Sequence, residues 1–115
     1  MNDVCVFCRI LAGEIPARQA YAGPLAYGFW DLEPQAPMHV LLVPRRHITD
    51  ASGVEPGDAE ALAEMIGAAK EVATREGYGE RGYRLVLNVG RDAGNTVPHL
   101  HMHVLAGREL GWPPG

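Results

Sequence analysis

Residues 99–105 read His-Leu-His-Met-His-Val-Leu, with histidine and aliphatic side chains alternating strictly. Period two is the signature of a strand, in which successive side chains point to opposite faces. The pattern predicts a strand over His99 to Ala106, with Leu100, Met102 and Val104 turned to a core. His99, His101 and His103 then share the other face, and they are three of only five histidines in the chain. A row of imidazoles contributes little to packing, so this face reads as functional. Two chemistries suit it. Neutral imidazole nitrogens ligate metals. Imidazole, titrating near ~6.5, also attacks phosphorus, and a neighbouring histidine can pass on a proton. Spacing alone does not choose between them.

The rest of the chain supplies a sheet for that strand. Asp3 can cap a short helix running to about Leu11, which Gly13 would stop. Arg18 to Ala22 and Leu25 to Leu32 read as a hairpin about Gly23-Pro24, and Asp31 to Pro37 as Pro-punctuated loop. His39 to Val43 is an apolar run suited to a buried central strand ended by Pro44. Residues 46–57 are a polar connection. Asp58 to Glu76 carries Leu62, Met65, Ile66, Ala69, Val72 and Ala73 at helical spacing, with charges opposite, and Gly77 stops it. Tyr83 to Val89 is a strand, and Gly90 to Val97 a Gly-bearing loop able to approach a phosphate. Helices do not alternate with strands. The order predicts an α+β fold with a mostly antiparallel sheet, one long and one short helix.

The 115 residues suit one domain, 1–115. Ten Lys+Arg against 14 Asp+Glu leave a net charge of −4, which argues against a nucleic-acid coat or a polybasic membrane binder. No apolar stretch approaches ~20 residues, so no membrane span is expected. Met1-Asn2-Asp3-Val4 does not open a secretory signal, and a cytoplasmic location is expected. In that setting Cys5 and Cys8, a C-x-x-C, read as half of a metal site, a redox pair, or two ordinary thiols. A thioredoxin-like motif should follow a strand, and only four residues precede Cys5.

His99-Leu100-His101-Met102-His103-Val104-Leu105 resembles the His-φ-His-φ-His-φ-φ signature of the histidine triad (HIT) family, and the likeness extends along residues 5–115. Cys5 to Ile10 with Gly13 to Pro16 is similar to the family's opening. Asp31-Leu32, Pro34 to Pro37 and His39 to Ile48 are similar to its middle, and Asn88-Val89-Gly90 to the strand before the triad. Gly107-Arg108 and Trp112 to Gly115 resemble the tail of the Hint branch. Pro98 departs from many Hint sequences, as does Glu109-Leu110-Gly111 in the tail.

The resemblance implies a five-stranded antiparallel sheet with two helices, paired as a homodimer through the long helix and a neighbouring strand. It implies hydrolysis of purine nucleoside phosphoramidates to AMP by double displacement at phosphorus. By position His101 would be the nucleophile, His103 would contact the phosphate and assist, and His39 would orient His101 in a relay with the backbone between them. Asn88 and Thr96 would hold the phosphate or leaving group, Gly94 and Val97 would contact the nucleotide, and Asp31 would bind the ribose hydroxyls. Phe7, Ile10, Phe29 and Leu32 would line the purine pocket, and Trp112 would reach the partner's site. A zinc-bearing subset implies a structural Zn²⁺ on Cys5, Cys8, His47 and His99, which takes no part in the chemistry. Arg45, Arg46, Arg91 and Arg108 would supply positive charge. The alternatives are dinucleoside polyphosphate hydrolysis, as in the Fhit branch, and a nucleotide-binding scaffold with vestigial activity. Neither nucleic acid nor membrane is an expected partner.

Overall fold

The computed structural model describes residues 5–115. The seven residues of β3 (Met38–Pro44) are all buried, and that fact organises the molecule. A strand buried on both faces needs sheet neighbours on each edge and a layer above and below. β2 (Ala26–Trp30) lies along one edge and β5 (Met102–Ala106) along the other; β1 (Gln19–Ala22) and β4 (Tyr83–Leu87) close the sheet in the order β1-β2-β3-β5-β4, antiparallel throughout. The expected architecture is the one observed.

The two faces have different cover. Met38, Val40 and Leu42 point with Leu100, Met102, Val104 and Ala106 toward α2 (Ala59–Arg75), which buries Met65, Ala68, Ala69, Val72 and Ala73. Small residues on this face of α2 bring the helix close to the sheet. Leu41 and Val43 point the other way, with Phe29, toward α1 (Val6–Leu11) and its Phe7. Pairing of Leu41 with His103 puts the histidine face on the α1 side.

The hairpin turn is tied to α2 by Glu64, whose Oε2 accepts from the backbone N–H of Leu25 (3.1 Å) and Ala26 (2.7 Å). At Gly28 a Cβ would meet Leu42 Cδ2 at 2.6 Å, so the close approach of β2 to its neighbour requires glycine there.

Several boundaries differ from the sequence reading, each for a local reason. The helix expected to be capped from Asp3 is capped by Cys5, whose Sγ accepts from the Cys8 N–H at 3.3 Å; Asp3 lies outside the described residues. The connection 46–57 contains two 3₁₀ turns, Ala51–Gly53 and Pro56–Asp58. Asp58, expected in the long helix, ends the second turn instead, accepting from Glu55 N at 2.9 Å and from the Arg46 guanidinium at 2.6 Å. The ladder of β5 begins at Met102, not His99. Pro44 has no N–H to continue the pairing, and its carbonyl is taken by the His99 ring at 3.1 Å. The alternation nevertheless persists, because Leu100 N donates to Ile48 O at 2.6 Å and Leu100 stays in the α2 core. β4 stops at Leu87, opposite Met102, so Asn88 lies just beyond the strand and not within it.

Met65 is completely buried where α2 meets the sheet. Met65→Ala is expected to lower unfolding free energy by about 2–5 kcal/mol in a denaturant titration, through lost transfer energy plus a cavity.

Candidate active site and metal centre

Two side-chain clusters flank the histidine segment on the α1 side of the sheet. In the first, donor atoms of Cys5, Cys8, His47 and His99 all lie within 4.8 Å of one another. Cys5 Sγ is 3.3 Å from His99 Nδ1; Cys8 Sγ is 3.2 Å from His47 Nδ1 and 3.5 Å from His99 Nδ1. Tetrahedral zinc with bonds of ~2.0–2.3 Å spaces its ligands roughly 3.3–3.8 Å apart. The proton positions agree. Pro44 O can only accept, so His99 carries its proton on Nε2 and presents the Nδ1 lone pair to the two sulfurs. Donor set, spacing and tautomer together fit a structural Zn²⁺. A cavity of about 420 Å³, lined by Cys8, His47, Arg45 and Arg46, reaches the cluster from outside. The ion would join α1, the segment after β3 and the start of the histidine segment.

In the second cluster, Asp31, His39 and His103 also lie within 4.8 Å. Here the tautomers exclude a metal of the same kind. The Gln35 N–H donates to His39 Nδ1 at 3.0 Å, so the ring proton sits on Nε2, the atom facing the cluster. That Nε2–H donates to His103 Nδ1 at 2.8 Å and lies 3.5 Å from Asp31 Oδ2. His103 therefore has its own proton on Nε2. The chain Gln35, His39, His103 is an ordered line of donors ending in an N–H.

His101 is held separately. Its Nδ1 is 2.7 Å from the His99 carbonyl, which only accepts, so Nδ1 bears the proton and Nε2 a lone pair. Among the described residues nothing bonds that lone pair. Phe7 stands edge-on to the ring at a centroid distance of 5.1 Å, and His103 lies at 5.2 Å. The expectation that His39 orients His101 is corrected by this arrangement: His39 bonds His103, and the His99 carbonyl orients His101.

A groove of about 330 Å³ opens beside the cluster. Phe7, Ile10, Phe29, Asp31 and Leu32 all line it, so five residues scattered over 26 positions of sequence meet at one place. Leu32 is 95% exposed, which puts it at the rim and not in an apolar wall. Asp31 Oδ1 accepts from Glu33 N at 2.8 Å, leaving Oδ2 facing His39 and the groove. Val97 packs against the Phe7–Phe29 cluster. Gly94 and Thr96 line a separate opening of about 440 Å³ beside Thr49 and Asp50. Asn88 is half-buried; one further step of the β4–β5 register would set it opposite His101. Trp112 is 82% exposed and does not line the groove of its own chain.

The arginines are mostly engaged elsewhere, correcting their expected role. Arg46 pairs with Asp58, Arg91 with Asp92, and Arg45 Nε donates to Gly23 O at 2.7 Å. Arg108 alone reaches the histidine network, donating to Gln35 O at 2.9 Å. Sequence reasoning missed the backbone groups of Gln35 and Pro44, since any residue type offers an N–H or a carbonyl. It also missed Asn95, whose Oδ1 is buried without a hydrogen-bond partner.

Burial holds the relay neutral. Desolvation, with the nearby His101 and His39 rings, lowers the His103 pKa to about 4; desolvation also lowers that of His39, partly offset by Asp31.

The family model described as the HIT domain matches residues 12–110. A HIT-like protein of Synechocystis is 44% identical over 115 residues, all of both chains. The purine nucleoside phosphoramidase of Escherichia coli K12 is 40% identical over 111 residues, 96% of this chain and 93% of that one. The crystal structure of a HIT family hydrolase from Legionella pneumophila superposes with a TM-score of 0.93 at 45% identity, covering 96% of this chain and 99% of the other.

Two outcomes are expected. Metal analysis should find about one zinc per chain and not two, because in the second cluster the His39 Nε2–H already occupies the His103 Nδ1 lone pair and faces Asp31; Cys8→Ser should lower the content. Between pH 6.5 and about 4 the unfolded His103 binds a proton that the folded one does not. Its contribution to stability is therefore complete above 6.5 and falls as the pH drops toward 4. Urea midpoints of the wild type should show a steeper loss over that window than those of His103→Gln.

Proposed function

This chain belongs to the HIT family and is a hydrolase of that family, and from that premise we propose that it cleaves purine nucleoside phosphoramidates to the nucleoside monophosphate and a free amine. The observation that carries the reading is the fixed Nδ1–H of His101, which leaves a lone pair on Nε2 beside an apolar groove ending in a carboxylate. The 40% identity to a purine nucleoside phosphoramidase supports the same substrate class.

In the first displacement His101 Nε2 forms a bond to phosphorus, the P–N bond breaks, and the amine leaves with a proton from solvent. The ring becomes cationic as it is phosphorylated, and its Nδ1–H to the His99 carbonyl becomes a charge-assisted hydrogen bond, stronger in that state than before. The His103 Nε2–H donates to a non-bridging phosphate oxygen, with its tautomer set by His39 and Gln35. In the second displacement water attacks phosphorus, the Nε2–P bond breaks, and the water proton goes to solvent. Phe7, Ile10 and Phe29 take the purine, with Leu32 closing over its edge; Asp31 accepts from the ribose hydroxyls. By the resemblance Asn88 and Thr96 would hold the phosphate or leaving group and Gly94 and Val97 would border the nucleotide, although Gly94 and Thr96 line the separate opening beside Thr49. Zinc is structural and supplies no step.

The protein works as a single HIT domain and a cytoplasmic homodimer, in which the exposed Trp112 lies against the partner's groove. None of the described helices is long and apolar enough to cross a membrane.

His101→Ala should lower kcat on adenosine phosphoramidate by on the order of 10³-fold or more with a small change in KM, as for loss of a covalent nucleophile. A variant that keeps full turnover overturns the assignment. Faster cleavage of dinucleoside polyphosphates than of phosphoramidates would move the chain to the other hydrolytic class.

A further inference from the structure

The sheet register brings three segments together at one end of the molecule. Met38 pairs with Ala106, and Ala106 with Tyr83, so the loop before β3, the segment after β5 and the start of β4 lie side by side. Gly107 makes the contact close: it turns the chain at a φ of 101°, and a Cβ in its place would stand 2.7 Å from the Cβ of Pro37. The next residue, Arg108, donates from Nε to Gln35 O and from Nη1 to Glu109 O, each at 2.9 Å, so one planar guanidinium bridges loop and tail. Arg84 of β4 fixes the far side of that tail, its Nη2 donating to Leu110 O and Gly111 O at 3.2 and 2.9 Å.

The loop gripped in this way carries residues of the site. The main-chain N–H of Gln35 donates to His39 Nδ1 at 3.0 Å, its side-chain Nε2 donates to Glu33 O at 3.0 Å, and its carbonyl accepts from Arg108. The Glu33 N–H donates in turn to Asp31 Oδ1 at 2.8 Å. Among the described residues, the other hydrogen bonds of residues 32–37 join partners within 31–39, and the Arg108 bond alone reaches a distant part of the chain. Residues 32–35 are exposed, so little packing substitutes for it.

We propose that Arg108 is a positioning residue for the phosphoramidase reaction: by tying Gln35 to the tail, it holds the Gln35 N–H on His39 and keeps Asp31 at the groove. This rests on reading His103 as the donor to the phosphate and Asp31 as the partner of the ribose. Arg108 does not itself line the groove, and its guanidinium is spent on two carbonyls, so it acts on the site through the loop and not by contact with substrate. Once the loop is released, His39 Nδ1 loses its donor and the ring is free to carry its proton on either nitrogen. The His103 N–H that faces the groove is then no longer specified.

The test compares full-length wild type with Arg108→Ala, both labelled with ¹⁵N-histidine. Two-bond proton–nitrogen spectra of the substrate-free protein read the His39 and His103 tautomers, and steady-state kinetics on adenosine phosphoramidate read kcat and KM. The wild type should show Nε2–H on both rings. Arg108→Ala, with its far-UV circular dichroism retained, should show mixed tautomers and a kcat roughly 10-fold lower, as for loss of one charge-assisted hydrogen bond. Dilute guanidinium ion should restore part of both readings. A folded Arg108→Ala with wild-type tautomers and full kcat overturns the proposal. So does a rise in KM alone with wild-type tautomers, which would make Arg108 a substrate contact. Should Arg108→Ala fail to fold, Arg108→Met, which keeps the aliphatic length without the donors, decides by the same two readings. Failure of the wild type to cleave any phosphoramidate would refute the substrate reading, and the spectra, taken without substrate, would still decide the positioning.

Discussion

The arrangement of the metal centre and of His101 beside it depends on one buried hydrogen bond, from His99 Nε2–H to the carbonyl of Pro44 at 3.1 Å. It satisfies a carbonyl that the sheet leaves unpaired and a ring nitrogen that burial would otherwise strand, a mismatch costing about 1–3 kcal/mol for each group. It also chooses the tautomer of His99. With the proton committed to Pro44, the opposite nitrogen presents a lone pair to two cysteines, and the backbone carbonyl of the same residue is left for His101. The polar contents of this face are thereby sorted into a metal-ligating set and a histidine with a free lone pair, without any charged residue between them.

The same logic of forced tautomers runs through the second cluster. A backbone N–H on His39 Nδ1 makes that histidine a donor to His103, and so makes His103 a donor to whatever occupies the groove. Desolvation keeps both rings neutral, so their proton positions are set by fixed backbone groups and not by pH near neutrality. Two clusters with similar geometry thus differ in what they accept. One offers lone pairs from all four ligands and suits a cation; the other directs the His103 N–H outward, a donor suited to an anion. On the proposed reading a net charge of −4 is no obstacle to a phosphate-bearing substrate, since local donors, not global charge, would meet the phosphate.

Much of the fold was legible before any coordinates. The alternation after His99 and the apolar run of residues 38–44 describe side-chain direction and burial, which sequence period reports directly. The α2 face was legible for the same reason. The misses lie where backbone groups act. The end of β4 at Leu87 depends on where its partner strand begins, and the start of β5 at Met102 on a proline that has no N–H to offer. The 3₁₀ turns at 51–53 and 56–58 arise from Asp50 and Asp58 side chains accepting from nearby backbone N–H groups. In the site, side-chain identities were readable, but Gln35 and Pro44 were not, because their contribution comes from atoms every residue has.

The sequence by itself determined which residue types were available and which face each would occupy. Five histidines and two cysteines, with strict alternation at the triad, left little room for any other sheet face to hold them. Tertiary structure alone decided their division of labour. His39 and His47 come from one strand and the segment after it, yet they face different clusters, and His39 bonds His103 where the family resemblance implied His101. The reason is physical: an imidazole's role follows from which of its two nitrogens meets a donor and which an acceptor, and those partners are distant in sequence and adjacent only once the sheet has closed.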